Sequence, residues 1–441
     1  MLSNLKLTNL LSRFDYHMQE LLRGSAIAFV FKLFAAGIGF GLNVVLARLL
    51  GAEGSGIFFL SFTIIMIAAV VGRIGMDNSL VRFIAANIVV GMPGKVMGVY
   101  YKAIKISTLV VIPLSITLYL ATPWLSRVLF NKPELEQPLL IMCFAVTPVA
   151  LFMLHAYALQ GLKHIAASVS ILSLVAPLLT IIMSILFVGE HGLQAASYAY
   201  LVASIITLVI GWLLWKRVTD SYGVHIVEFE TQELLSSSMP LFIVSIATLV
   251  VGFAPMLILG VWESSSNIGI FSAASRTAGL ISFILVAVNS IAAPKFSELY
   301  QKGEIETLRN IARNSTKVMM FMAFPALLLC LIFPENILGV FGDEFRKGAL
   351  VLIVLSIGQF INVSTGAVGY LLMMTGHEKL MGKILIFTAF FSVLISFILI
   401  PVLGVLGAAI GSAVAMVLQN LISMVYVRCR LGITTLPFID G

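Results

Sequence analysis

The chain has 441 residues, 60% of them hydrophobic and only 11% charged, with a mean hydropathy of +1.07. A water-soluble domain carries about 25% charged residues, so this composition excludes an ordinary soluble fold. The formal charge of +7 is read here as membrane topology rather than nucleic-acid binding, and the three cysteines (Cys143, Cys330, Cys429) lie too far apart for a disulfide framework or a zinc site.

In chain order, residues 1–23 come first. Leu7, Leu10, Leu11, Phe14, Met18, Leu21 and Leu22 fall on one helical stripe, which predicts an amphipathic cytoplasmic segment on the inner membrane surface rather than a cleaved signal peptide. Twelve apolar stretches then follow, at roughly 24–47, 56–76, 101–121, 138–160, 166–188, 194–215, 239–260, 268–291, 316–333, 348–374, 383–401 and 405–427. Each is about as long as the 20 residues that a membrane-crossing helix needs. Runs such as ILSLVAPLLTIIMSILF and LVASIITLVIGWLLW lack the alternation of barrel strands and are read as helices. The organisation expected is a six-helix bundle over 24–215, a cytoplasmic linker over 216–238, a second six-helix bundle over 239–427 and a cytoplasmic tail over 428–441.

With the N-terminus placed inside, most of the 27 Lys and Arg residues fall in cytoplasmic segments, whereas Arg48, Arg127, Lys132, Arg346 and Lys347 fall on the opposite side. This bias predicts an even number of crossings of the cytoplasmic membrane with both termini cytoplasmic. The basic loop over 295–317 is placed against anionic lipid headgroups as well.

The two halves echo one another. Gly56-Ile57-Phe58 recurs as Gly269-Ile270-Phe271, and Phe83 recurs as Phe296 at the same displacement along the chain. TPWLSRVLF resembles FPENILGVF, and HGLQAASYAYLV resembles LGVLGAAIGSAV, at nearly that displacement. Six crossings per copy return the chain to its starting side. The fold class predicted is therefore an all-α integral membrane protein with about twelve transmembrane helices, in two parallel six-helix repeats around a central cleft that opens alternately to either side.

Polar groups that interrupt the apolar runs are the candidates for the cleft. Lys32 and Asn43 fall on one face of the first helix, Arg73, Asp77 and Asn78 follow the second, and Arg276 and Asn289 lie in the eighth. An unpaired charge is costly in lipid, so Lys32 and Arg276 are expected to face the cleft and to hold a phosphate or pyrophosphate. Lys32 snorkelling to the interface and Arg73 anchoring the topology are the plainer alternatives. Arg48 divides between headgroup contact and interface anchoring, and Asp77 and Glu53 are candidate ion-pair partners for these bases. His155 in the fourth helix, and Gln359, Asn362 and Tyr370 in the tenth, either line a polar route or join helices by hydrogen bonds.

GAEGSGIF lacks the Lys-Ser/Thr of a phosphate-binding loop, so its glycines are read as a tight reversal between helices one and two. No catalytic constellation, metal cluster or cofactor motif stands out, and the short external loops leave no room for a glycosyltransferase domain.

LNVVLARLLGAEGSGIF, then GMDNSLVRFIA and the duplicated halves, resemble the polysaccharide-biosynthesis (O-antigen) flippases of the multidrug/oligosaccharidyl-lipid/polysaccharide superfamily over roughly 20–430. The resemblance implies a non-enzymatic flippase without cofactors that moves a polyprenyl-pyrophosphate-linked oligosaccharide to the external leaflet. Its partners would be that glycan, membrane lipids, and a polysaccharide polymerase with other assembly proteins. A cation-coupled exporter of small organic molecules is the alternative within the superfamily. The resemblance also implies that Arg48 is the family's recurrent arginine at the end of helix one, and that Arg276 occupies the region where related lipid flippases carry a cleft arginine. Lys32 is a reading of this chain alone.

Overall fold

The computed structural model describes residues 16–222 and 225–436. They form an all-helical molecule: α1 (Tyr16–Arg73), α2 (Met76–Val89), α3 (Pro93–Trp124), α4 (Glu136–Cys143), α5 (Val146–Gly161), α6 (Ile165–Ser170), α7 (Ala176–Thr219) and α8 (Thr231–Trp262). Then come α9 (Ser265–Gln301), α10 (Ile305–Ile332), α11 (Pro334–Gly339), α12 (Ala349–Ser364), α13 (Val368–Met374), α14 (Glu378–Leu403) and α15 (Val405–Leu431). Among the described residues, ten helical stretches are long and apolar enough to cross a membrane. The bent pair Pro133–Cys143 and Val146–Gly161, 47° apart, makes eleven if it counts as one span.

Several predicted boundaries move. At 1.5 Å per residue an unbroken α1 would reach about 87 Å, nearly three times the hydrocarbon thickness. It is broken at Gly51 (φ 69°, ψ −175°), a backbone conformation that L side chains rarely adopt. The predicted loop between helices one and two is therefore a single residue, and Gly54 and Gly56 belong to the following helix. Gly192 (φ 56°) breaks α7 in the same way where a short loop was expected. The expected tenth helix stops at Ser364 and restarts as α13. The segment 295–317, expected as a loop, is the end of α9 and the start of α10 joined through a turn with Gly303 at φ 74°. Much of the expected linker is helical too: α7 runs to Thr219 and α8 begins at Thr231. Between them the chain lies against α3, where Val227 donates to the Gly94 carbonyl at 3.1 Å and its own carbonyl occupies the space a Cβ on Gly98 would need. Residues 1–15, most of the expected amphipathic segment, lie outside the described residues.

Two layers of contact organise the helices. One extended hydrophobic core runs from α1 through α5 and α9 to α12, and a second gathers Phe296, Leu308, Leu371, Leu372 and Ile433 at the other end of the C-terminal half. The outward faces stay apolar, with Leu109, Ile116 and Leu120 on α3 and Phe321, Met322 and Leu329 on α10 exposed. Such a surface is the signature of helices solvated by lipid, where every backbone polar group is bonded within its own helix.

The most extensive helix pairing joins the two halves, between α1 and α9. It is a backbone-to-backbone crossing: a Cβ on Gly56 would stand 1.8 Å from the Ser265 carbonyl oxygen, and one on Gly269 would stand 2.1 Å from that of Ala52. The contacts are reciprocal, since Gly56 and Gly269 are separated along the chain by the same interval as Ala52 and Ser265. Without a hydrophobic drive in lipid, such close approach of small residues supplies the packing attraction. Gly56→Ala and Gly269→Ala should each lower the thermal midpoint of the detergent-solubilised protein sharply. Gly252→Ala, at a helical site with nothing within 4 Å, should leave it unchanged or raise stability by about 0.4–1 kcal/mol through reduced chain entropy.

Candidate functional site

The α1–α9 crossing brings one charged side chain between the halves. Arg276 lies about 16 Å along α9 from Ser265, half-way through a hydrocarbon core of about 30 Å. Its guanidinium carbon stands 4.5 Å from the ring centre of Phe59 and 5.7 Å from that of Phe62, both on the second segment of α1. Nε donates to Ser272 Oγ at 3.3 Å, one turn back on the same helix. Among the described residues no carboxylate pairs with it. Aromatic faces stabilise a cation but do not neutralise it, so the charge stays available to an anion.

Arg73 shows the opposite arrangement. Its Nε and an Nη donate to both carboxylate oxygens of Asp77 at 2.6 and 3.1 Å, and a further Nη donates to the Ala69 carbonyl at 3.2 Å. With the Arg73 side chain 3% exposed and that of Asp77 13% exposed, this is a largely buried bidentate ion pair. It fixes the corner between α1 and α2, where Gly75 (φ 68°) packs against the first turns of α8. The charge proposed for the cleft is neutralised inside the N-terminal half.

The remaining candidates separate by depth. Arg48 is exposed at the Gly51 end, and its Nε donates to the Val340 carbonyl at 2.7 Å, so it bridges the halves instead of lining their interior. Glu53, the other expected acid partner, is exposed and makes no ion pair among the described residues. Asn43 is buried, with Nδ2 bonded to the Gly39 carbonyl and Oδ1 unpartnered. Gln359, about 15 Å into α12 and so near the depth of Arg276, is partly buried with Oε1 unpartnered. Asn362 is a helix-joining group whose Oδ1 accepts from Asn420 Nδ2 at 2.9 Å. Asn289 is buried with both amide atoms unpartnered, about 20 Å beyond Arg276 along α9. Lys32 is partly buried without a partner among the described residues, while Asn78 and Tyr370 are exposed. His155 is bonded through Nδ1 to the Tyr100 hydroxyl at 3.0 Å, and Tyr100 stacks on Trp215, which makes it part of the N-terminal core.

Sequence reasoning missed Phe59 and Phe62, because aromatic residues in so apolar a chain carry no signal of their own. It also missed Lys132 as more than a topology marker. Lys132 is 7% exposed, donates to the Gly260 carbonyl at 2.7 Å, and burial pushes its ammonium below the usual lysine range against the opposing pull of Glu134 and Glu263.

An all-helical chain with ten or eleven membrane-length segments among the described residues, and an uncompensated cation held at mid-depth between two packed halves, defines a multi-pass membrane protein. The chain belongs to the polysaccharide biosynthesis protein family, whose family model matches residues 21–300. It is 25% identical over 424 residues to a probable low-salt glycan biosynthesis flippase of Haloferax volcanii, covering 94% of this chain and 85% of that one. Among solved structures it is similar to an inward-facing multidrug-resistance transporter of the MATE family (TM-score 0.76, 15% identity, 92% of this chain and 98% of that one). It is also similar to the lipid II flippase MurJ in an inward closed conformation (TM-score 0.75, 13% identity, 91% and 87%). At these identities the two structures establish the shared fold.

The two arginines should respond differently to removal. Arg73→Met leaves the partly buried Asp77 carboxylate without its partner and should cost about 1–3 kcal/mol. Arg276→Met should leave the thermal midpoint close to that of the parent protein. Thermal unfolding in detergent, followed by size-exclusion chromatography, distinguishes the two, and equal losses would contradict the assignment of Arg276 as the uncompensated charge.

Proposed function

We propose that the protein is a transporter that moves a polyprenyl-pyrophosphate-linked oligosaccharide from the cytoplasmic to the external leaflet of the cytoplasmic membrane, for surface-polysaccharide assembly. The observation that carries the reading is Arg276, a guanidinium between the halves at mid-depth with aromatic rings on its face and no counter-ion among the described residues. A charge in lipid is retained where it meets a partner, and a pyrophosphate supplies one through charge-assisted hydrogen bonds to the free N–H edges. The polyprenyl tail stays in lipid while the headgroup passes between the halves, and no covalent bond is broken.

Alternating access supplies the movement. Read as a reversal, the Gly51 break divides Phe31–Arg73 into two crossings; with the bent pair as one span, the chain crosses twelve times. The reciprocal contacts of Gly56 and Gly269 support two parallel six-helix repeats related by an axis along the membrane normal. Arg48, Lys132 and Arg346 gather at the Gly51 end, and by the bias of basic residues that end faces outward, with both termini cytoplasmic.

A second reading, a cation-coupled exporter of small organic molecules, is favoured by the fold shared with the multidrug-resistance transporter. An organic cation calls for an available carboxylate inside the membrane, and Asp77 is already taken by Arg73. One pair of assays in proteoliposomes separates the readings. Flipping of a defined pyrophosphate-linked saccharide, slowed about tenfold or more by Arg276→Gln, a loss of about 1.4 kcal/mol of stabilisation, is the result expected. Gradient-driven uptake of a lipophilic cation by the parent protein, with no saccharide movement above protein-free vesicles, would establish the exporter instead.

A further inference from the structure

At the Gly51 end, each half reaches across with one carboxylate. Glu344, in the 3-10 turn Asp343–Gly348 of the C-terminal half, accepts through Oε2 from the Ala52 backbone N–H at 3.0 Å. Ala52 is the first residue after the Gly51 break, so its N–H belongs to the opening turn of the second α1 segment. Glu134, in the 3-10 turn Pro133–Leu135 of the N-terminal half, accepts through Oε1 from Ser265 Oγ at 3.0 Å. Ser265 is the first residue of α9 and the repeat counterpart of Ala52, at the displacement that relates Gly56 to Gly269. The two bonds are thus counterparts: a loop carboxylate of one half engages the N-terminus of the other half's crossing helix. A carboxylate is favoured there by the helix dipole and by the unbonded first-turn N–H groups.

Two basic side chains complete the set, Arg48 on the Val340 carbonyl and Lys132 on the Gly260 carbonyl. Beneath them the Gly56 and Gly269 backbones touch. A cavity of about 440 Å³ opens above the Glu134 side, lined by Glu53, Lys132, Glu134 and Glu263 among others. At the opposite end the halves meet through α8 and the chain before it, by Ser79 against Ser237 and by Gly75 against the Ser238 carbonyl.

We propose that Glu134 and Glu344 form a two-fold clasp that keeps the external mouth closed, and that release of both carboxylates is the step that opens the protein outward. The clasp rests on the alternating-access reading but not on the identity of the cargo. Because the bonds are local to the mouth and each ties a rigid helix end to the opposite half, one intact bond still restrains the separation. The two losses therefore act together more strongly than either alone.

The test is a distance measurement across the mouth. Spin labels at Gln137→Cys and Lys347→Cys, both exposed and on opposite halves, are introduced with Cys429→Ser; Cys143 and Cys330 are buried and shielded. In lipid nanodiscs the parent protein should give one short-distance population. Glu134→Ala with Glu344→Ala should add a second, longer one, and each single variant should add a smaller share of it. Glu53→Ala, which removes an exposed carboxylate from the same surface without cutting a bond between the halves, should leave the distribution as it was. An unchanged distribution in the double variant, or an equal change in Glu53→Ala, overturns the clasp. Should the double variant not fold, Glu344→Ala alone, at an exposed turn position, must still lengthen the distance. The readout needs no transported substrate, so it stands or falls apart from the flippase assignment.

Discussion

The contact on which the rest of the molecule depends is the touching of two backbones at Gly56 and Gly269. In lipid, apolar side chains gain little by meeting one another, and two helices associate where small residues let their backbones interlock. That interlock fixes the register of α1 against α9. From it follow the placement of Phe59 and Phe62 under Arg276, deeper in the membrane, and the placement of both helix N-termini within reach of Glu134 and Glu344 at the mouth. A Cβ at either glycine would push the helices apart by more than the tolerance of a hydrogen bond, and the contacts that depend on this crossing would be lost with it.

Charge within the membrane follows the same constraint. The Arg73 guanidinium is surrounded by the Asp77 carboxylate, the Ala69 carbonyl and the Met153 sulfur, which engage every one of its nitrogens and neutralise its charge. The Arg276 guanidinium meets one serine hydroxyl and two rings. The contrast lies in compensation. Arg73 receives it from the fold and serves the corner between two helices, whereas Arg276 receives none from a carboxylate among the described residues. This difference, more than its position, is what supports Arg276 as the headgroup-binding residue of the proposed function.

Much of this was legible in the sequence, because it rests on local pattern. Apolar length gave the helices, and the Gly-Ile-Phe echo pointed to the pair of helices that cross. Polar residues inside apolar runs gave Arg276, Asn43 and Asn289. What stayed hidden depends on partners far along the chain. Nothing in GDEFRKG shows that Glu344 reaches Ala52, 292 residues earlier, and nothing in NKPELE shows that Glu134 meets Ser265. The reversal expected over the whole glycine cluster is made at Gly51 alone, since a single residue with positive φ redirects a helix and frees the other glycines for packing. Arg48, Asn43 and Lys32 looked equivalent as polar points on one helix, yet they stand at three depths, and the depth decides what each can meet.

The resemblance between the halves also bears on the single cation, Arg276, that stands at mid-depth in the α1–α9 crossing among the described residues. In the register that pairs Gly56 with Gly269, Arg276 corresponds to Thr63, and Phe59 and Phe62 correspond to Ser272 and Ser275. A symmetric pair of arginines on facing helices would bring two like charges close together in a medium of low dielectric, where their repulsion is strong. Here the positions have diverged into complements. One half carries the guanidinium and the serine that holds it; the other carries the rings that cover its face and a threonine bonded back to its own helix at the Phe59 carbonyl. The scaffold keeps its two-fold contacts where glycine and helix ends meet, at the crossing and the mouth, and abandons them at mid-depth. Under the proposed function, a single asymmetric cation would hold one anionic headgroup at a time and release it to either side as the frame around it rocks.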